Sequence, residues 1–490
     1  MKRMMFVLFV FYFVLNLKAQ QNQTLYFMSV PQANITNPAL YGPCRLTISG
    51  LLIPVSGQVM PPLYLNYNNN GFSYKQFIHH GNGLMSDSLI FDFPNLIDKM
   101  RKVNYLSFET NIPWINVSYI WRNWYFSFGV NEKINTMISL PKDLVVLGWE
   151  GNGKSLLGED AFLNFLGANI NWHREYALGA ATNINNKWTV GARAKLLFGK
   201  ANLWFKNNQL TWNTNKDDYS YTFDVDMEVH SSQPFFDITK FQYDYLNDSL
   251  MFEMDTVLDP GDMTFSQFKK QVIFNSKNKG IALDLGAKYI FNNKLTLYAS
   301  LLDFGFIHYK QHSDGLKAKG TFYFDGWDIQ PYFQKDDSIA QAHADAFRDS
   351  VIKLFDPTLV NKAYNYWLPS RLYLGGTYQL TEKYNVGALF RGEFYLKRVH
   401  AALTLSGNAK FTKWLSSSVS YTIQNNSFTN VGLGFAMKFG FYQWYMVSDN
   451  IMGFIWPQST RNLNLRMGLN MIFGCKKKEN STMLNTNFVE

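Results

Sequence analysis

The sequence predicts an all-β protein, an antiparallel transmembrane β-barrel of about 14 strands. Three observations support this fold class. Apolar and polar residues alternate along many segments. Those segments run to about ten residues, the length of a tilted strand that crosses a bilayer, and aromatic residues collect at their ends, as in the interfacial girdles of such barrels. Of the 490 residues, 17% are aromatic and 17% are charged, an unusual balance for a soluble enzyme.

The N-terminus predicts export. Lys2 and Arg3 precede an apolar stretch over 4–15, and Ala19 is a small residue that suits cleavage directly after it. This order of regions is typical of a secretory signal peptide, which we place at 1–19. A single anchoring helix is the alternative, although the apolar stretch is short for a bilayer span.

The remaining charge does not favour nucleic-acid binding. The formal net charge is +9, and removal of a signal peptide lowers it, because that segment contains basic residues and no acidic ones. The chain has no arginine-rich face and no nucleic-acid-binding motif, so no nucleic-acid partner is predicted. A mild positive charge fits solubility or attraction to acidic lipid.

Alternation is clearest over residues 462–474. Apolar residues occupy the odd positions, while Asn, Arg and Gly dominate the even ones. Segments 188–199 and 281–291 repeat the pattern, which predicts strands with one oily and one wet face. Short polar turns join such segments at 122–123, 183–187, 292–294 and 381–383.

A soluble β-sandwich also alternates, so the alternation alone leaves two architectures open. A sandwich needs a second sheet to cover its apolar face. In lipid, an open sheet edge leaves backbone groups unsatisfied, so the strands must close on themselves. Strand length and the placement of the aromatic residues favour the closed barrel.

Two stretches depart from the alternation. Apolar residues recur at helical spacing over 336–355, and Pro357 follows, which predicts a helix within a long loop. That helix would either pack on the protein or bind a partner. Residues 231–278 mix acidic and aromatic residues and are interpreted as a long surface loop.

The two cysteines lie at the ends of the predicted barrel. Cys44 precedes the first strand, which starts near Arg45, and Cys475 follows the last strand, which ends at Gly474. First and last strands are neighbours in a closed barrel, and exported proteins reach an oxidising compartment. We therefore predict a Cys44–Cys475 disulfide across the closure seam. The alternative is two free or buried thiols.

One sequence string resembles a nucleotide site. Gly148, Gly153, Lys154 and Ser155 match the phosphate-loop pattern, which needs a preceding strand and a following helix. The surrounding sequence predicts neither, so we interpret residues 151–153 as a turn. No cofactor is predicted.

No catalytic or metal site is predicted either. His79 and His80 lack a spaced third ligand, and the chain contains none of the common hydrolase motifs. Asp284 and Asp303 would line the lumen without forming a catalytic acid–base pair. The sequence therefore predicts a protein that is not an enzyme.

Short pieces of sequence along most of the mature chain resemble a family of exported proteins from Bacteroidetes-type bacteria that is known only by a domain of unknown function. They include Leu25-Tyr26-Phe27-Met28, Asn37-Pro38-Ala39, Leu283-Asp284-Leu285-Gly286-Ala287, Asp449-Asn450 and Phe473-Gly474. This family is similar to the outer-membrane superfamily that contains long-chain fatty-acid transporters and the barrel shuttle of type IX secretion.

The resemblance implies a domain organisation in the cell outer membrane. An N-terminal plug segment over 20–44 would enter the lumen around Asn37, Pro38 and Ala39. The barrel would cover 45–474, and 475–490 would form a periplasmic tail. Many outer-membrane barrels end on an aromatic residue that the assembly machinery recognises. Here residues 475–490 follow the last predicted strand, so the recognition signal would be internal.

Two functions follow from these expectations. The first is a non-enzymatic transporter or binder of small hydrophobic compounds, in contact with outer-membrane lipid. The alternative is an accessory or interaction component of an outer-membrane protein secretion or barrel-assembly apparatus, with proteins of that apparatus as partners.

Overall fold

The fold is described by a computed structural model that covers residues 22–53, 61–81, 88–233, 266, 269–326, 358–360, 362–395, 398–424 and 427–475. The predicted signal peptide at 1–19 and the helix at 336–355 lie outside these residues. The same holds for the tail after Cys475 and for most of the loop predicted over 231–278.

The described chain is dominated by antiparallel strands. The strands are β1 (Cys44–Ser49), β2 (Leu63–Asn69), β3 (Ile78–His80), β4 (Leu89–Phe91), β5 (Val103–Trp121), β6 (Trp124–Pro141), β7 (Asp160–Phe162), β8 (Gly167–Asn183), β9 (Trp188–Thr214), β10 (Tyr221–Ser232), β11 (Lys279–Ile290), β12 (Leu295–Tyr309), β13 (Ser313–Phe324), β14 (Thr358–Leu359), β15 (Tyr364–Trp367), β16 (Ser370–Gln379), β17 (Tyr384–Tyr395), β18 (Arg398–Lys410), β19 (Leu415–Gln424), β20 (Ser427–Phe439), β21 (Tyr442–Ser448) and β22 (Asn462–Cys475).

The helices are short and lie in the N-terminal segment and in the connections. The α-helices are α1 (Gln23–Tyr26), α2 (Tyr74–Phe77), α3 (Phe93–Lys99), α4 (Lys142–Glu150) and α5 (Met452–Ile455); the other helical turns are Pro31–Ile35, Lys269–Ile273 and Pro457–Ser459. None of the helices in the described ranges is long and apolar enough to cross a membrane.

The sheet closes into an antiparallel barrel of 14 strands, which confirms the predicted fold class. β1 and β2 share one position in the wall, because both pair with β22 on one side and with β5 on the other. Cys44 and Cys475 are register partners at this seam, with their sulfur atoms 2.14 Å apart. The sequence analysis placed the cysteines just outside the first and last strands. In the structure each of these strands is one residue longer, so that β1 begins at Cys44 and β22 ends at Cys475. The disulfide itself stays a prediction.

The two faces of the wall have opposite polarity. On β9, Arg193 is only 8% exposed, whereas Leu196 is 58% exposed. On β22, the even-numbered polar side chains are buried and the apolar ones between them are less buried. Polar residues inside and apolar residues outside are the reverse of a soluble fold, so the outer face suits lipid.

Exposed aromatic residues lie beside the short hairpin turns, as the sequence predicts. Trp121 and Trp124 flank one turn, Trp188 follows another, and Trp414 and Phe439 lie at two more. Not every aromatic residue near a turn faces outward, because Tyr445 of β21 is buried in a cluster that includes Leu25 and Val30 of the N-terminal segment.

Several strands exceed the predicted length of about ten residues. β9 has 27 residues, and its second half pairs with β10 instead of β11. β10 pairs with β13, and β13 with β14, so these strands form an arm beyond the barrel. Leu163, Leu210, Val225 and Ala318 form the core of this arm.

Candidate functional site

The N-terminal segment lies inside the barrel. The helix α1 and the helical turn Pro31–Ile35 contribute buried residues to the lumen. The Tyr26 ring stacks on Tyr373 of the wall, at 5.8 Å between centroids, and meets Tyr298 edge-on at 6.0 Å. The segment is therefore packed against the wall as an ordinary protein core is packed. We refer to residues 22–43 as the plug.

A buried carboxylate fixes the start of the plug. Asp449 Oδ2 accepts the backbone N–H of Gln23 at 3.2 Å, and Asp449 Oδ1 accepts that of Thr24 at 2.7 Å. The first backbone N–H groups of a helix have no partner within the helix. The Asp449 carboxylate supplies this missing partner. The Asn464 side-chain amide in turn donates a hydrogen bond to the same carboxylate.

The predicted residues Asn37, Pro38 and Ala39 lie in the middle of the plug. Asn37 Nδ2 donates to the backbone carbonyls of Ala287 and Ala299, each at 3.2 Å, and Asn37 Oδ1 accepts the N–H of Ala39 at 2.8 Å. Asn37 therefore anchors the plug to β11 and β12. Asn37 and Ala39 are buried, and Pro38 packs against the wall at Gly191.

The wall is shaped for this contact. A Cβ atom on Gly286 would collide with Asn37, and one on Gly387 would collide with the ring of Phe27. Any larger residue at either position would push the plug away from the wall. The plug therefore packs closely because these two wall positions are glycines.

Buried ion pairs line the lumen beside the plug. Lys195 Nζ lies 2.6 Å from Asp284, 2.7 Å from Asp303 and 3.5 Å from Glu175. Removal of one member of such a group leaves a buried charge unpaired, which costs about 3–5 kcal/mol. Asp284 and Asp303 thus line the lumen as expected, with Lys195 between them.

This ion-pair group also holds the plug. Arg193 pairs with Asp284 at 3.2 Å, and its other guanidinium nitrogen donates to the backbone carbonyl of Asn34 at 2.8 Å. The Asn34 amide in turn donates to the carbonyls of Pro38 and Leu40. The charges of the wall therefore connect directly to the backbone of the plug.

A cavity of about 90 Å³ lies between the plug and the β5–β6–β8 part of the wall. A single water needs roughly 10–15 Å³ on the same measure, so the space admits a group of several heavy atoms. Amides, hydroxyls and charged groups line it; they include Asn34, Ser49, Asn111, Asn116, Ser118, Ser127, Asn131, Lys133, Glu175 and Arg466.

One polar atom in this lining lacks a hydrogen-bond partner, and one buried guanidinium lacks a carboxylate partner. Asn111 Oδ1 is buried and accepts no hydrogen bond from the described residues. Arg466 is 5% exposed; its Nε donates to Asn22 Oδ1 at 2.9 Å, and the guanidinium lies 4.1 Å from the Tyr64 ring centroid. Within the described chain, no carboxylate forms an ion pair with Arg466. A bound group with an N–H or O–H donor would satisfy Asn111 Oδ1, and an anionic group would give Arg466 a charged partner.

The wall is interrupted next to this cavity. Ser49 at the end of β1 pairs with Asn470 of β22, and pairing resumes only at Leu63 with Met467. On β22, only Gly468 and Leu469 separate these two paired positions. Residues 50–53 and 61–62 do not belong to a strand. The chain directly after Ser49 stays in contact with β5, because the N–H of Leu51 donates to the carbonyl of Pro113 at 2.9 Å.

The backbone conformation of Gly50 sets the direction in which the chain continues after β1. Gly50 has a φ of 133°, a conformation that other residues rarely adopt. A Cβ atom there would lie 2.6 Å from the Cα of Ile115. Gly50 therefore allows the chain to leave the wall against a bulge in β5, where the register shifts between Pro113 and Ile115.

A second cavity, of about 10 Å³, lies beside the break in pairing and is lined by Ser49, Pro62 and Asn470, among others. Pro62, Pro113 and Leu469 line its wall side, and Gln32 and Ile35 line its plug side. The two cavities share Gln32, Ile35, Ser49, Asn111, Asn116, Asn131 and Arg466 in their linings. The two cavities are therefore neighbours, and the plug forms one side of each.

The phosphate-loop string has the wrong structural context, in agreement with the sequence interpretation. Gly148 lies within α4, and Gly151 ends that helix at a φ of 76°. Lys154 and Ser155 follow in a bend, so the string leaves a helix instead of entering one. Among the described residues, no group of His, Cys, Asp or Glu side chains could hold a metal ion.

The sequence analysis proposed Asn37, Pro38 and Ala39 as plug residues, which stays a prediction, and it assigned no role to Asp449 or Arg466. Asp449 was noticed as part of the family resemblance, without a role. The interruption after Ser49 was also missed, although Gly50 and the prolines at 61 and 62 mark it in the sequence.

A family model matches residues 53–449 of the chain. The chain belongs to the family of unknown function DUF5723. The match confirms the resemblance to a family known by a domain of unknown function. No curated protein matches the chain.

The chain is similar to several solved structures. The Ralstonia pickettii toluene transporter TbuX is 11% identical, with a TM-score of 0.39, and the match covers 94% of this chain and 100% of that one. A Pseudomonas aeruginosa FadL homologue is 10% identical, with a TM-score of 0.36 and coverage of 94% and 100%. The translocator domain of the Neisseria meningitidis autotransporter NalP is 7% identical, with a TM-score of 0.29 and coverage of 87% and 88%.

The location follows from the closed barrel and its polarity. The wall satisfies its own backbone groups, its outer face is apolar, and aromatic residues mark the membrane boundary. The DUF5723 protein is an outer-membrane β-barrel.

Proposed function

We propose that the protein binds small hydrophobic compounds that carry a polar group and passes them sideways between the membrane and its lumen. The observation that carries this proposal is the interruption of the wall between Ser49 and Leu63, directly beside the lumen cavity. A non-enzymatic role is part of the proposal, with no cofactor.

A central aqueous route is blocked by the plug. Asn37, Asp449 and Arg193 tie the plug to separate parts of the wall, and the Tyr26 ring is stacked between wall residues. A compound entering along the barrel axis would have to break these contacts. A compound entering from lipid meets the smaller cavity first, with the apolar Pro62 and Leu469 on its wall side.

The larger cavity selects for a polar group. Its lining combines apolar side chains such as Ile35 and Leu302 with amides and hydroxyls, and a pure hydrocarbon bound there would leave Asn111 Oδ1 without a hydrogen-bond donor. The cavity is also too small for a long chain. The polar group would therefore lie in the larger cavity, and the apolar part would extend through the interruption into lipid.

The alternative role, in protein secretion or barrel assembly, has no specific support in the described part of the chain. The exposed apolar residues of the wall fit lipid as well as they would fit a protein partner. We therefore propose only the binding and passage of small compounds.

The side chain of Ile35 tests the route. It lies on the plug between the two cavities, so Ile35→Ala should widen the space between them and Ile35→Trp should narrow it. The measurement is the rate at which phenylnaphthylamine, a hydrophobic amine that fluoresces in phospholipid, enters Gram-negative cells producing each variant. We expect faster entry for Ile35→Ala and slower entry for Ile35→Trp.

Val30→Ala is the matched control. Val30 is also a buried plug residue, but it packs against Ala436, Tyr445 and Val447, away from the larger cavity. Equal acceleration by Val30→Ala and Ile35→Ala would indicate a generally loosened plug. No change in either Ile35 variant would contradict the proposed route.

A further inference from the structure

The hairpin turns at one end of the barrel share a basic composition. Five of the six short hairpin turns at this end contain or adjoin a lysine or arginine; these residues are Arg122, Lys187, Lys294, Lys383, Lys410 and Lys413. The turn at 440–441 has Lys438 nearby, within β20. The acidic residue among these turns is Glu382. Short turns of outer-membrane barrels face the periplasm, so this rim faces the periplasmic leaflet.

The same local geometry presents several of the lysines. Asn185 Oδ1 accepts the backbone N–H of Lys187, and Asn292 Oδ1 accepts that of Lys294, each at 2.9 Å. In a third turn, Thr381 Oγ1 accepts the N–H of Lys383. In each case, the side-chain oxygen closes the turn and places the lysine two residues later.

Neighbouring turns are hydrogen-bonded to one another along the rim. The carbonyl of Lys187 accepts the N–H of Ile290, and that of Lys294 accepts the N–H of Gln379, each at 2.8 Å. Consecutive turns are therefore two strands apart, about 10 Å along the sheet. The basic residues form a spaced ring rather than a cluster.

These basic groups lack acidic partners. Lys187, Lys294, Lys383 and Lys413 are exposed, and none forms an ion pair with a described carboxylate. Several basic residues elsewhere in the described chain do have acidic partners. Lys195 in the lumen pairs with three carboxylates, and the outer-arm residues Lys206 and Lys319 pair with Glu228 and Asp226.

The ring lies beside the aromatic residues of the membrane boundary. Trp188 directly follows Lys187, Tyr384 follows Lys383, and Trp414 follows Lys413. Aromatic side chains at such positions sit at the level of lipid headgroups. Lysine side chains one residue away then reach the phosphates, while their methylene stems stay in less polar surroundings.

We propose that this rim is a binding surface for the headgroups of anionic phospholipids in the periplasmic leaflet. A basic residue near a membrane surface attracts acidic lipid with about 1 kcal/mol. The spacing of the ring lets each lysine act on a different headgroup. This inference is independent of the proposed passage of small compounds, since it concerns only the rim.

The test uses the purified protein in nanodiscs that contain phosphatidylethanolamine and phosphatidylglycerol in equal amounts. Native mass spectrometry then identifies the lipids that stay bound when the protein is released. We expect the ratio of bound phosphatidylglycerol to bound phosphatidylethanolamine to be roughly fivefold higher than in the nanodisc, and this enrichment to fall at high salt. Equal retention of both lipids by the unaltered protein would overturn the proposal.

Two matched sets of substitutions localise the effect. The rim set is Lys187→Gln, Lys294→Gln, Lys383→Gln and Lys413→Gln; the control set is Lys206→Gln, Lys216→Gln, Lys317→Gln and Lys319→Gln in the arm. Both sets remove the same charge. The rim set should lose the enrichment and the control set should keep it. Equal loss in both would overturn the proposal in favour of a net-charge effect.

A fold control separates binding from misfolding. A folded barrel migrates differently on gels before and after boiling, so each variant is checked in this way. If the rim set does not fold, the single variants Lys294→Gln and Lys383→Gln replace it. Each should lower the enrichment in part, and unchanged enrichment in both would count against the proposal.

Discussion

Asp449 shows how a single residue controls the plug. Its carboxylate is fully buried and accepts two backbone N–H groups from the first turn of α1. Asp449 is more than 400 residues from its partners in sequence, Gln23 and Thr24. No local pattern could have predicted this contact. The resemblance drew attention to Asp449 and Asn450, but only the structure gives Asp449 a role.

Asp449→Ala should release the start of the plug. The substitution leaves two buried N–H groups without an acceptor, at a cost of about 1–3 kcal/mol each. We expect a larger and less steady ion conductance through the barrel in planar lipid bilayers. Asp449→Asn retains one oxygen acceptor and should have a smaller effect.

Asp217→Ala is the control for this measurement, because Asp217 lies in an exposed turn of the arm. It should conduct as the unaltered protein does. Unaltered conductance in Asp449→Ala would show that the other plug contacts, such as those of Asn37 and Arg193, suffice without this carboxylate.

The strands show which features sequence patterns can predict. Period-two alternation identified β9, β11 and β22, because each has one face toward lipid and one toward the lumen. It did not predict the length of β9. Above the membrane, alternation continues on both strands of the β9–β10 hairpin, because one face packs on the core of the arm. Alternation alone does not show where lipid ends.

The seam between β1 and β22 carries the prediction for the cysteines. Cys44 and Cys475 are opposite each other in register and lie 431 residues apart in sequence. A bridge there would close a very long loop and so restrict the unfolded chain. We expect mass spectrometry of the protein without reductant to find one linked peptide pair and no thiol that reacts with an alkylating agent.

Removal of the bridge should weaken the seam. The double variant Cys44→Ser and Cys475→Ser should convert to the unfolded gel form at a lower temperature, by an amount that corresponds to about 2–5 kcal/mol. Two alkylated thiols in the unaltered, native protein would contradict the predicted disulfide.

The whole molecule is a barrel whose interior is more polar than its exterior. The lumen holds its charges as ion pairs, such as Lys195 with Asp284, and it holds the plug by hydrogen bonds and close packing. The sequence predicted this reversal, because the polar face of each strand alternates with an apolar one. The sequence did not predict the interruption after Ser49, because residues 50–62 lack a distinct period. The interruption is visible only from the pairing of β1 and β2 with β22, which is far away in sequence.

Photolabelling of the protein by a bound compound tests the lateral route most directly. An alkyl alcohol that carries a photoreactive diazirine is added to the purified protein in nanodiscs, irradiated, and the adducts are mapped by mass spectrometry. We predict that adducts concentrate on residues that line the two cavities, including Ile35, Pro62 and Leu469. Adducts spread evenly over outward residues such as Leu283 and Leu405, with none on the plug, would contradict a lateral route into the lumen.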